Sequence, residues 1–552
     1  MSILSDRLSA EILQARQRVY TVGEPTPLQR LNLPGIQAPV YAKREDLGPI
    51  RAYKWRGAFN CMAALSQEAR DKGIVAASAG NHAQGVALAA RVLNCHATIF
   101  MPRSTPEVKQ TEVRRHGGRH VKIMLHGDCY DETAAAAHEY TETHGCTFVH
   151  PYDDLVTMAG QGTLADEVVM SGEGPFDRAY VAIGGGGLAA SVACWLKKFW
   201  PRIKVIGVEG IDQASMKTSI EQGRRVNLDY VDVFCDGTAV HIPGELTYPL
   251  CRELVDEFVT VTNNEVCQAI RAMWESSRVV PEPSGAMSLA GFLKQWNRGE
   301  VKPEEKSFVV ISGANMDFTH LTQIARQAGI GNHETRYLRI SMDSKRGQVL
   351  KYLRHIPQDT TLVDVQYGKT EGNTQHPVFG IAASDEDLDT IRTTLKKKGI
   401  EFEDISEDDD VRFRMIHYQP ELCQHPLFVH IEFPERAGAF LDFMERIADL
   451  ASLCYFNYTY TGERVGRALV GMEFDTAEDR ETIRKRMSAF SKNIIRSIRE
   501  ISPEAFQRIM GSRQLTAHHP GSLRKIGSLF FMTAFFSHDS ARHPGLPIAP
   551  AA

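Results

Sequence analysis

For roughly its first 330 residues the chain alternates short β-branched runs with helical stretches, and this alternation restricts it to few folds. The strand runs are Val40-Tyr41-Ala42, Gly73-Ile74-Val75-Ala76, Ala97-Thr98-Ile99-Phe100-Met101 and Thr147-Phe148-Val149-His150. Ala179-Tyr180-Val181-Ala182-Ile183, Lys204-Val205-Ile206-Gly207-Val208 and Phe308-Val309-Val310-Ile311 complete the series. Helical stretches at 85–93 and 188–199 follow two of these runs. Such an order predicts parallel sheets covered by helices on both faces. Ligands in such sheets bind beyond the carboxyl ends of the strands. Three loops of small residues sit at that end. Ser78 follows the run ending at Ala76, Gly184 the run ending at Ile183, and Ser312 the run ending at Ile311.

From about residue 334 the pattern changes to strand, helix, strand, strand, helix, and then it repeats. Ile340, Gly347, Leu350, Tyr367 and Gly380 align with Ile431, Gly438, Leu441, Tyr458 and Gly471 at a constant offset (431 − 340 = 91). Constant register at five separated positions is the mark of a tandem duplication. The acidic stretch 401–410 and the following Pro420 mark the seam. The expected division is a parallel α/β region of two subdomains at 1–330, then α+β domains at 334–412 and 424–490. Residues 491–552 read as a helix over Ser491–Met510 followed by a loosely ordered tail.

Composition removes several classes of function. Hydrophobic content of 43% and charged content of 24% are those of an ordinary globular protein. A net charge of −5, with no basic stripe interleaved with aromatics, argues against a nucleic-acid partner. The ten cysteines show no Cys-x-x-Cys and no zinc spacing, the pattern of free thiols in a reducing compartment. Residues 1–28 lack the basic start and apolar core of a leader. The apolar run at 529–536 is far short of the roughly 20 residues a membrane helix needs. A cytoplasmic protein without membrane contact is expected.

The loops carry chemistry. Gly184-Gly185-Gly186-Gly187-Leu188 lies between a strand and a helix. Its glycines let backbone N–H groups converge on one anion, and the helix adds its positive end. The competing reading is a dinucleotide pyrophosphate loop. Glu209 stands near the right distance for it, but the Gly-x-Gly-x-x-Gly spacing is not clean. Lys54 stands between Tyr53 and Trp55, and desolvation by aromatics lowers a lysine pKa and frees the amine as nucleophile and base. The run Ser78-Ala79-Gly80-Asn81-His82-Ala83-Gln84-Gly85 presents backbone N–H groups as a carboxylate-binding turn does. Asn81 suits a cofactor ring and Ser78 a substrate; His82 also reads as a plain helix N-terminal residue. Lysine, asparagine, glycine loop and Ser312 are, in that order, the parts a pyridoxal phosphate site needs.

Taken together, Ala52-Tyr53-Lys54-Trp55-Arg56-Gly57-Ala58, the Ser78–Gly85 run, the glycine loop, Glu282-Pro283-Ser284-Gly285-Ala286 and Ser312-Gly313-Ala314-Asn315 resemble the biosynthetic threonine dehydratases (threonine ammonia-lyases). These are tryptophan-synthase-β-like pyridoxal phosphate enzymes of fold type II. Thr105-Pro106-Glu107-Val108-Lys109 and Gly160-Gln161-Gly162-Thr163 fit the same pattern. The duplicated stretch resembles the paired ACT-like regulatory domains of those enzymes. The resemblance implies pyridoxal 5'-phosphate as cofactor and Lys54 as its Schiff-base lysine. Asn81 would meet the ring hydroxyl, Gly184, Gly185, Gly186, Gly187 and Leu188 the phosphate, and Ser312 the pyridine nitrogen. Ser78, Ala79, Gly80 and His82 would hold the substrate, L-threonine, which is converted to 2-oxobutanoate and ammonia. It further implies a homodimer or homotetramer under feedback control by isoleucine, with valine as a second effector. Gly438 and Tyr458 are the first-choice effector residues, and Tyr367 is their counterpart in copy one.

There are departures from the family pattern. Ala52 stands where the family has serine, and Ser215 replaces an acid of the set through which some relatives hold a divalent ion, so no metal is expected. Copy two keeps Phe433-Pro434-Glu435 and Phe456-Asn457-Tyr458 where copy one has Met342-Asp343-Ser344 and Val365-Gln366-Tyr367. The alternatives are another enzyme of the same fold (a serine dehydratase, racemase or cysteine-synthase-like lyase) and a non-catalytic amino-acid sensor using the repeats alone.

Overall fold

The computed structural model describes residues 2–318, 320–331, 335–343, 361–366, 374–376, 378–382, 385–406, 408, 425–434, 443, 446–447, 449–458, 465–488, 490 and 495–510. The chain opens with the helix Ile3–Val19 and strands β1 (Leu28–Leu31) and β2 (Val40–Arg44). It then builds a second sheet from β3 (Ile74–Ala77), β4 (Ala97–Met101), β5 (Val121–Leu125) and β6 (Thr147–Phe148). It returns to the first with β7 (Arg178–Ala182), β8 (Lys204–Gly210), β9 (Glu257–Val261) and β10 (Ser307–Ile311). The large sheet runs β1-β2-β10-β7-β8-β9 and the small one β5-β4-β3-β6. Every pair is parallel except β1 with β2.

Burial explains this layout. β2, β7 and β10 are buried at every residue, as strands covered on both faces must be. The helices Ile3–Val19, Leu155–Met170 and Gly187–Phe199 pack on one face of the large sheet. Asn263–Ser277 and Pro283–Asn297 cover the other. Each fully buried Val or Ile in these layers contributes about 1.5–3 kcal/mol.

The repeats follow. Copy one contains β11 (Thr335–Ile340), β12 (Met342–Asp343), β13 (Thr361–Gln366), β14 (Thr374–Gln375), β15 (Val378–Ala382) and β16 (Phe402–Asp404). Copy two contains β17 (Leu427–Pro434), β18 (Ser452–Tyr458), β19 (Val465–Glu473) and β20 (Ser497–Glu500). Their four-stranded antiparallel sheets run β13-β15-β11-β16 and β18-β19-β17-β20, the same order twice. The duplication is preserved in register. Tyr337 lies opposite Gly380 and Phe428 opposite Gly471 (428 − 337 = 91; 471 − 380 = 91). A Cβ on Gly471 would stand 2.5 Å from the Phe428 ring, so this pairing requires glycine. The register shift between Leu362 and Asp364 recurs between Leu453 and Tyr455, again 91 residues on (453 − 362 = 91). The helices Asp385–Lys397 and Ala477–Ser488 supply the apolar cover of the two sheets.

The helix expected over Ser491–Met510 is not what forms. Ser497–Glu500 is strand β20, paired with β17, and the helix is confined to Pro503–Met510. Pairing covers an edge of β17 that would otherwise expose a row of backbone donors and acceptors. Copy two therefore extends past residue 490. Gly347, Tyr367, Gly438 and residues 511–552 lie outside the described residues. Among the described residues no helix is long and apolar enough to cross a membrane, and no group of three or more His, Cys, Asp or Glu side chains is placed to hold a metal ion.

Candidate active site

Lys54 opens the helix Lys54–Ala64, one residue after the N-cap Tyr53. The two residues that follow fix it. Trp55 is fully buried and fills the space above Gly23 and Gly48, where a Cβ would meet its ring at 2.2 and 2.9 Å. Arg56 reaches a closed set of charges: its Nε donates to Glu45 Oε2 at 2.7 Å and its Nη1 to Glu167 Oε1 at 2.5 Å. Lys43 Nζ donates to Glu167 Oε2 at 2.5 Å. All four side chains are at most 5% exposed, and two positive charges meet two negative ones. Removing one member of such a set strands its partners and costs about 3–5 kcal/mol. Glycines then bring neighbouring helices into backbone contact with this one. A Cβ at Gly85 would lie 3.0 Å from Trp55 Cα, and one at Gly160 would lie 2.3 Å from the Arg56 carbonyl oxygen. The first turn of the lysine helix is therefore held on every side.

The amine of Lys54 donates to the Pro151 carbonyl at 3.0 Å. It stands over the rings of Tyr53 and Tyr152, at 5.4 and 5.9 Å from their centroids. Burial pulls its pKa down to about 8. Among the described neighbours, burial lowers His82 and His150 as well, to about 3 and about 4.

Residues 150–153 link the lysine to the glycine loop. His150 Nδ1 accepts from the Tyr152 and Asp153 N–H groups at 3.3 and 2.8 Å. The Pro151 carbonyl accepts from Gln161 Nε2 at 3.1 Å as well as from Lys54. The Tyr152 ring lies against Gly185, where a Cβ would come within 2.3 Å of it. Asp153 accepts from the N–H groups of Glu245, Leu246 and Thr247 at 2.7, 2.8 and 3.2 Å, and Gly244 N donates to Gly185 O at 3.3 Å. Gly186 has φ +98°, a left-handed conformation that suits glycine, and Gly187 begins the helix Gly187–Phe199. Any side chain on Gly184 would strike the Thr238 backbone at 2.9 Å. The loop is thus a cradle that only glycines can form, ending at a helix N-terminus.

Opposite stands a polar cluster. Asn81 Nδ2 donates to Glu282 Oε1 at 2.7 Å, and Asn315 Nδ2 donates to Asn81 Oδ1 at 2.8 Å. The Asn315 N–H donates to Glu282 Oε2 at 2.9 Å. Burial, reinforced by Asp236, raises Glu282 to about 7. The second Asn81 N–H remains available to a ligand. Ser312 is tied to the lysine turn, because Tyr53 N donates to Ser312 O at 3.0 Å and Ala52 bridges Gly313. Its hydroxyl has only a long 3.4 Å bond to Ser284 O, which a better acceptor can replace.

Lys54, Asn81, Gly184–Leu188 and Ser312 are therefore drawn into one connected neighbourhood. Ser78 and Gly80 form a turn in which Gly80 N donates to Ser78 Oγ at 3.2 Å, with Ala79 nearly buried. His82 differs from the expectation in detail. Its ring is 3% exposed and bonded to Val149 O at 2.8 Å, so what it can offer at the turn is backbone. Sequence reasoning assigned no role to Pro151, Gln161 or Glu282. The latter two stood inside quoted motifs, but a backbone carbonyl carries no residue signature. Glu209 is buried and raised to about 8, accepting from Met216 and Lys217 N–H groups at 2.9 and 2.8 Å.

The fit to pyridoxal phosphate can be judged on these features. An amine whose pKa burial lowers, a glycine cradle at a helix end, an asparagine with a spare donor and a weakly engaged hydroxyl suit its aldehyde, phosphate, ring oxygen and ring nitrogen in turn.

Comparison with known proteins agrees with this geometry. Residues 19–313 match the family described as pyridoxal-phosphate dependent enzyme, and residues 423–497 match the C-terminal regulatory domain of threonine dehydratase. The chain is similar to the biosynthetic L-threonine dehydratase of Burkholderia multivorans, with 37% identity over 84% of this chain and 92% of that one. It is similar to the Haemophilus influenzae enzyme of the same name, with 34% identity over 86% and 93%. Among solved structures, it is similar to the processed form of threonine deaminase isoform 2 from Solanum lycopersicum, with a TM-score of 0.56 and 39% identity over 59% of this chain and 89% of that one. Maize serine racemase gives a TM-score of 0.53 and 29% identity over 59% and 98%.

Proposed function

Because the chain belongs to the biosynthetic threonine dehydratases, a family of pyridoxal-phosphate-dependent enzymes, we propose that it converts L-threonine to 2-oxobutanoate and ammonia under feedback control by isoleucine. The observation that carries the reading is the Lys54 amine, lowered to about 8 by burial and held 3.0 Å from the Pro151 carbonyl beside the glycine cradle. Pyridoxal 5'-phosphate, when bound, supplies the electron sink that lets the substrate Cα lose a proton. The remaining steps belong to the chain. Backbone N–H groups of Gly184–Leu188 and the positive end of the helix Gly187–Phe199 bind the phosphate. The spare N–H of Asn81 meets the ring hydroxyl, and the neutral Ser312 hydroxyl meets the ring nitrogen without protonating it. The turn Ser78–Gly80, with the His82 backbone, takes the threonine carboxylate. Lys54, as a free amine, would remove the Cα proton, and positioned proton transfer of this kind is worth about 10²–10⁴ in rate. The β-hydroxyl departs as water with the proton that Lys54 took from Cα, and hydrolysis of the released enamine yields the oxo acid and ammonia. A cytoplasmic setting belongs to the proposal, supported by five cysteines buried as thiols.

Regulation is assigned to copy two. Isoleucine is the effector, with valine as a second one, and Gly438 and Tyr458 are the residues proposed to receive it. Tyr458 ends strand β18, in register with Ala468 of β19. The support is that copy two touches the catalytic region. Arg467 of β19 donates to Asp232 Oδ1 at 2.8 Å, and the Tyr230 hydroxyl donates to Glu432 Oε1 at 3.1 Å.

The test is a visible spectrum of the protein with added cofactor, before and after threonine, alongside 2-oxobutanoate formation. Lys54→Ala is expected to lose both the band and turnover; a variant with near-normal turnover would refute the assignment.

A further inference from the structure

The Pro151 carbonyl accepts two hydrogen bonds, one from Lys54 Nζ at 3.0 Å and one from Gln161 Nε2 at 3.1 Å. A carbonyl oxygen has two lone pairs, so this one is fully used. The orientation of the Gln161 amide is fixed. It is fully buried, and a flipped amide would face the Pro151 oxygen with another acceptor. Its own oxygen has no hydrogen-bond partner and lies beside the glycine loop, 2.9 Å from where a Cβ on Gly187 would stand. The residue thus lies between the lysine and the phosphate cradle, and no step described above uses it.

We propose that Gln161 is a positioning residue for the proton transfer. It holds the Pro151 carbonyl as the station at which the free Lys54 amine rests, so that the amine keeps one orientation between its release and its capture of the Cα proton. This rests on the assignment of Lys54 proposed above. A neutral amine that gives one N–H to a fixed acceptor has its lone pair directed, whereas a mobile amine does not. Tyr152 and Asp153, on the same peptide stretch, are anchored to Gly185 and to the N–H groups of residues 245–247, so the station cannot drift away from the cradle.

Two variants test this, Gln161→Leu, which removes the donor, and Gln161→Glu, which is nearly isosteric and brings a carboxylate close to the amine. The readouts are kcat and KM for threonine, the cofactor band, the thermal midpoint, and the pH dependence of Lys54 modification by trinitrobenzenesulfonate in the cofactor-free protein. Gln161→Leu is expected to lose at least about tenfold in kcat with KM nearly unchanged, because a small misplacement of a reacting group is costly. Gln161→Glu is expected to move the Lys54 labelling midpoint, and the acid limb of kcat with it, upward by about one pH unit, since a nearby opposite charge favours the ammonium. Parental kcat in both variants overturns the proposal. So does a kcat loss fully matched by lost cofactor occupancy with an unmoved labelling midpoint, the result of a merely structural role. If the leucine variant does not fold, the glutamate variant decides on the same readouts. Failure of the parent protein to develop a band with pyridoxal phosphate would instead sink the cofactor assignment, independently of Gln161.

Discussion

Replacing Arg467 by methionine is expected to uncouple isoleucine from threonine turnover. The contact joins copy two to a short stretch that leads into the active site. Arg467 Nη2 donates to Asp232 Oδ1 at 2.8 Å, and its Nε donates to Glu432 Oε1 at 3.2 Å. From Asp232 the path runs through Gln213, whose Nε2 donates to Asp232 O at 2.6 Å and to Cys235 O at 3.1 Å. Thr238 Oγ1 donates to Gln213 Oε1 at 3.0 Å, and the Thr238 backbone packs on Gly184 of the phosphate cradle. The magnitude follows from what Asp232 keeps. Its carboxylate still accepts from Phe234 N at 3.0 Å and Asn263 Nδ2 at 2.7 Å, so the charge is not stranded. At Asp232 the loss is therefore that of one charge-assisted hydrogen bond, about 1.5–3 kcal/mol. Coupling between an effector and a substrate site is typically about 1–3 kcal/mol. Losing this contact can remove most of that coupling, so half-inhibition is expected at roughly 5–150-fold more isoleucine. Uninhibited kcat should stay near the parental value. The assay is 2-oxobutanoate formation across an isoleucine titration, with isoleucine binding measured by calorimetry. Asp232→Asn should behave similarly, and the double variant should add little, as expected for one shared contact. A parental inhibition curve in a folded Arg467→Met protein would show that the signal travels elsewhere.

Three further outcomes are expected. Glu282 is raised from 4.5 to about 7 in the fold, so its contribution to stability is fully present below 4.5 and lost as pH rises through about 7. Glu282→Gln should flatten the thermal midpoint over that window, and a slope equal to the parental one would show that another group titrates there. Truncation after residue 331 keeps the helix His320–Gly331, whose Ile324 and Ala328 are buried on the large sheet, and removes both repeats. The product should dehydrate threonine and ignore isoleucine; a well-folded but inactive fragment would contradict separable halves. Tyr458→Ala should weaken isoleucine inhibition while leaving uninhibited turnover nearly intact, and unchanged inhibition in a stable variant would remove copy two as the effector site.

Position in the sheet accounts for the strands that were missed, although the edge strand β6 was read. Ala97–Met101 forms with the expected bounds, and the runs that became β2, β7, β8 and β10 were found because central strands of a doubly covered sheet are built on near-continuous apolar runs. The missed strands β1, β5 and β9 are all edges. Leu28-Gln29-Arg30-Leu31, Val121-Lys122-Ile123-Met124-Leu125 and Glu257-Phe258-Val259-Thr260-Val261 each mix polar residues into a short run, as an edge strand facing solvent does. β20 is the same case in copy two: Ile498 and Ile501 are spaced as a helix would have them, and pairing with β17 overrides that preference. The groups proposed for the chemistry were readable where a side chain is proposed to act, as at Lys54 and Asn81. They were not where a backbone carbonyl is proposed to act, as at Pro151.

That division has a consequence for how the site is built. A buried amine is cheap to neutralise and hard to aim, since a lysine side chain has many rotamers and only its first turn is fixed by Trp55 and Arg56. Here the far end is fixed separately, by a carbonyl whose position depends on Gln161, on His150 and on Asp153 together. Asp153 in turn ties that carbonyl to the Gly244–Thr247 turn, which bonds the glycine loop through Gly244 N and Thr247 Oγ1. Lys54 and the glycine cradle therefore share one scaffold, and a shift of the Asp232–Thr238 stretch that moves Gly184 would also act on the carbonyl proposed to aim Lys54. An effector bound to copy two then needs no contact with threonine. It needs only to favour an arrangement in which that scaffold is displaced, and it can inhibit by no more than its preference for that arrangement.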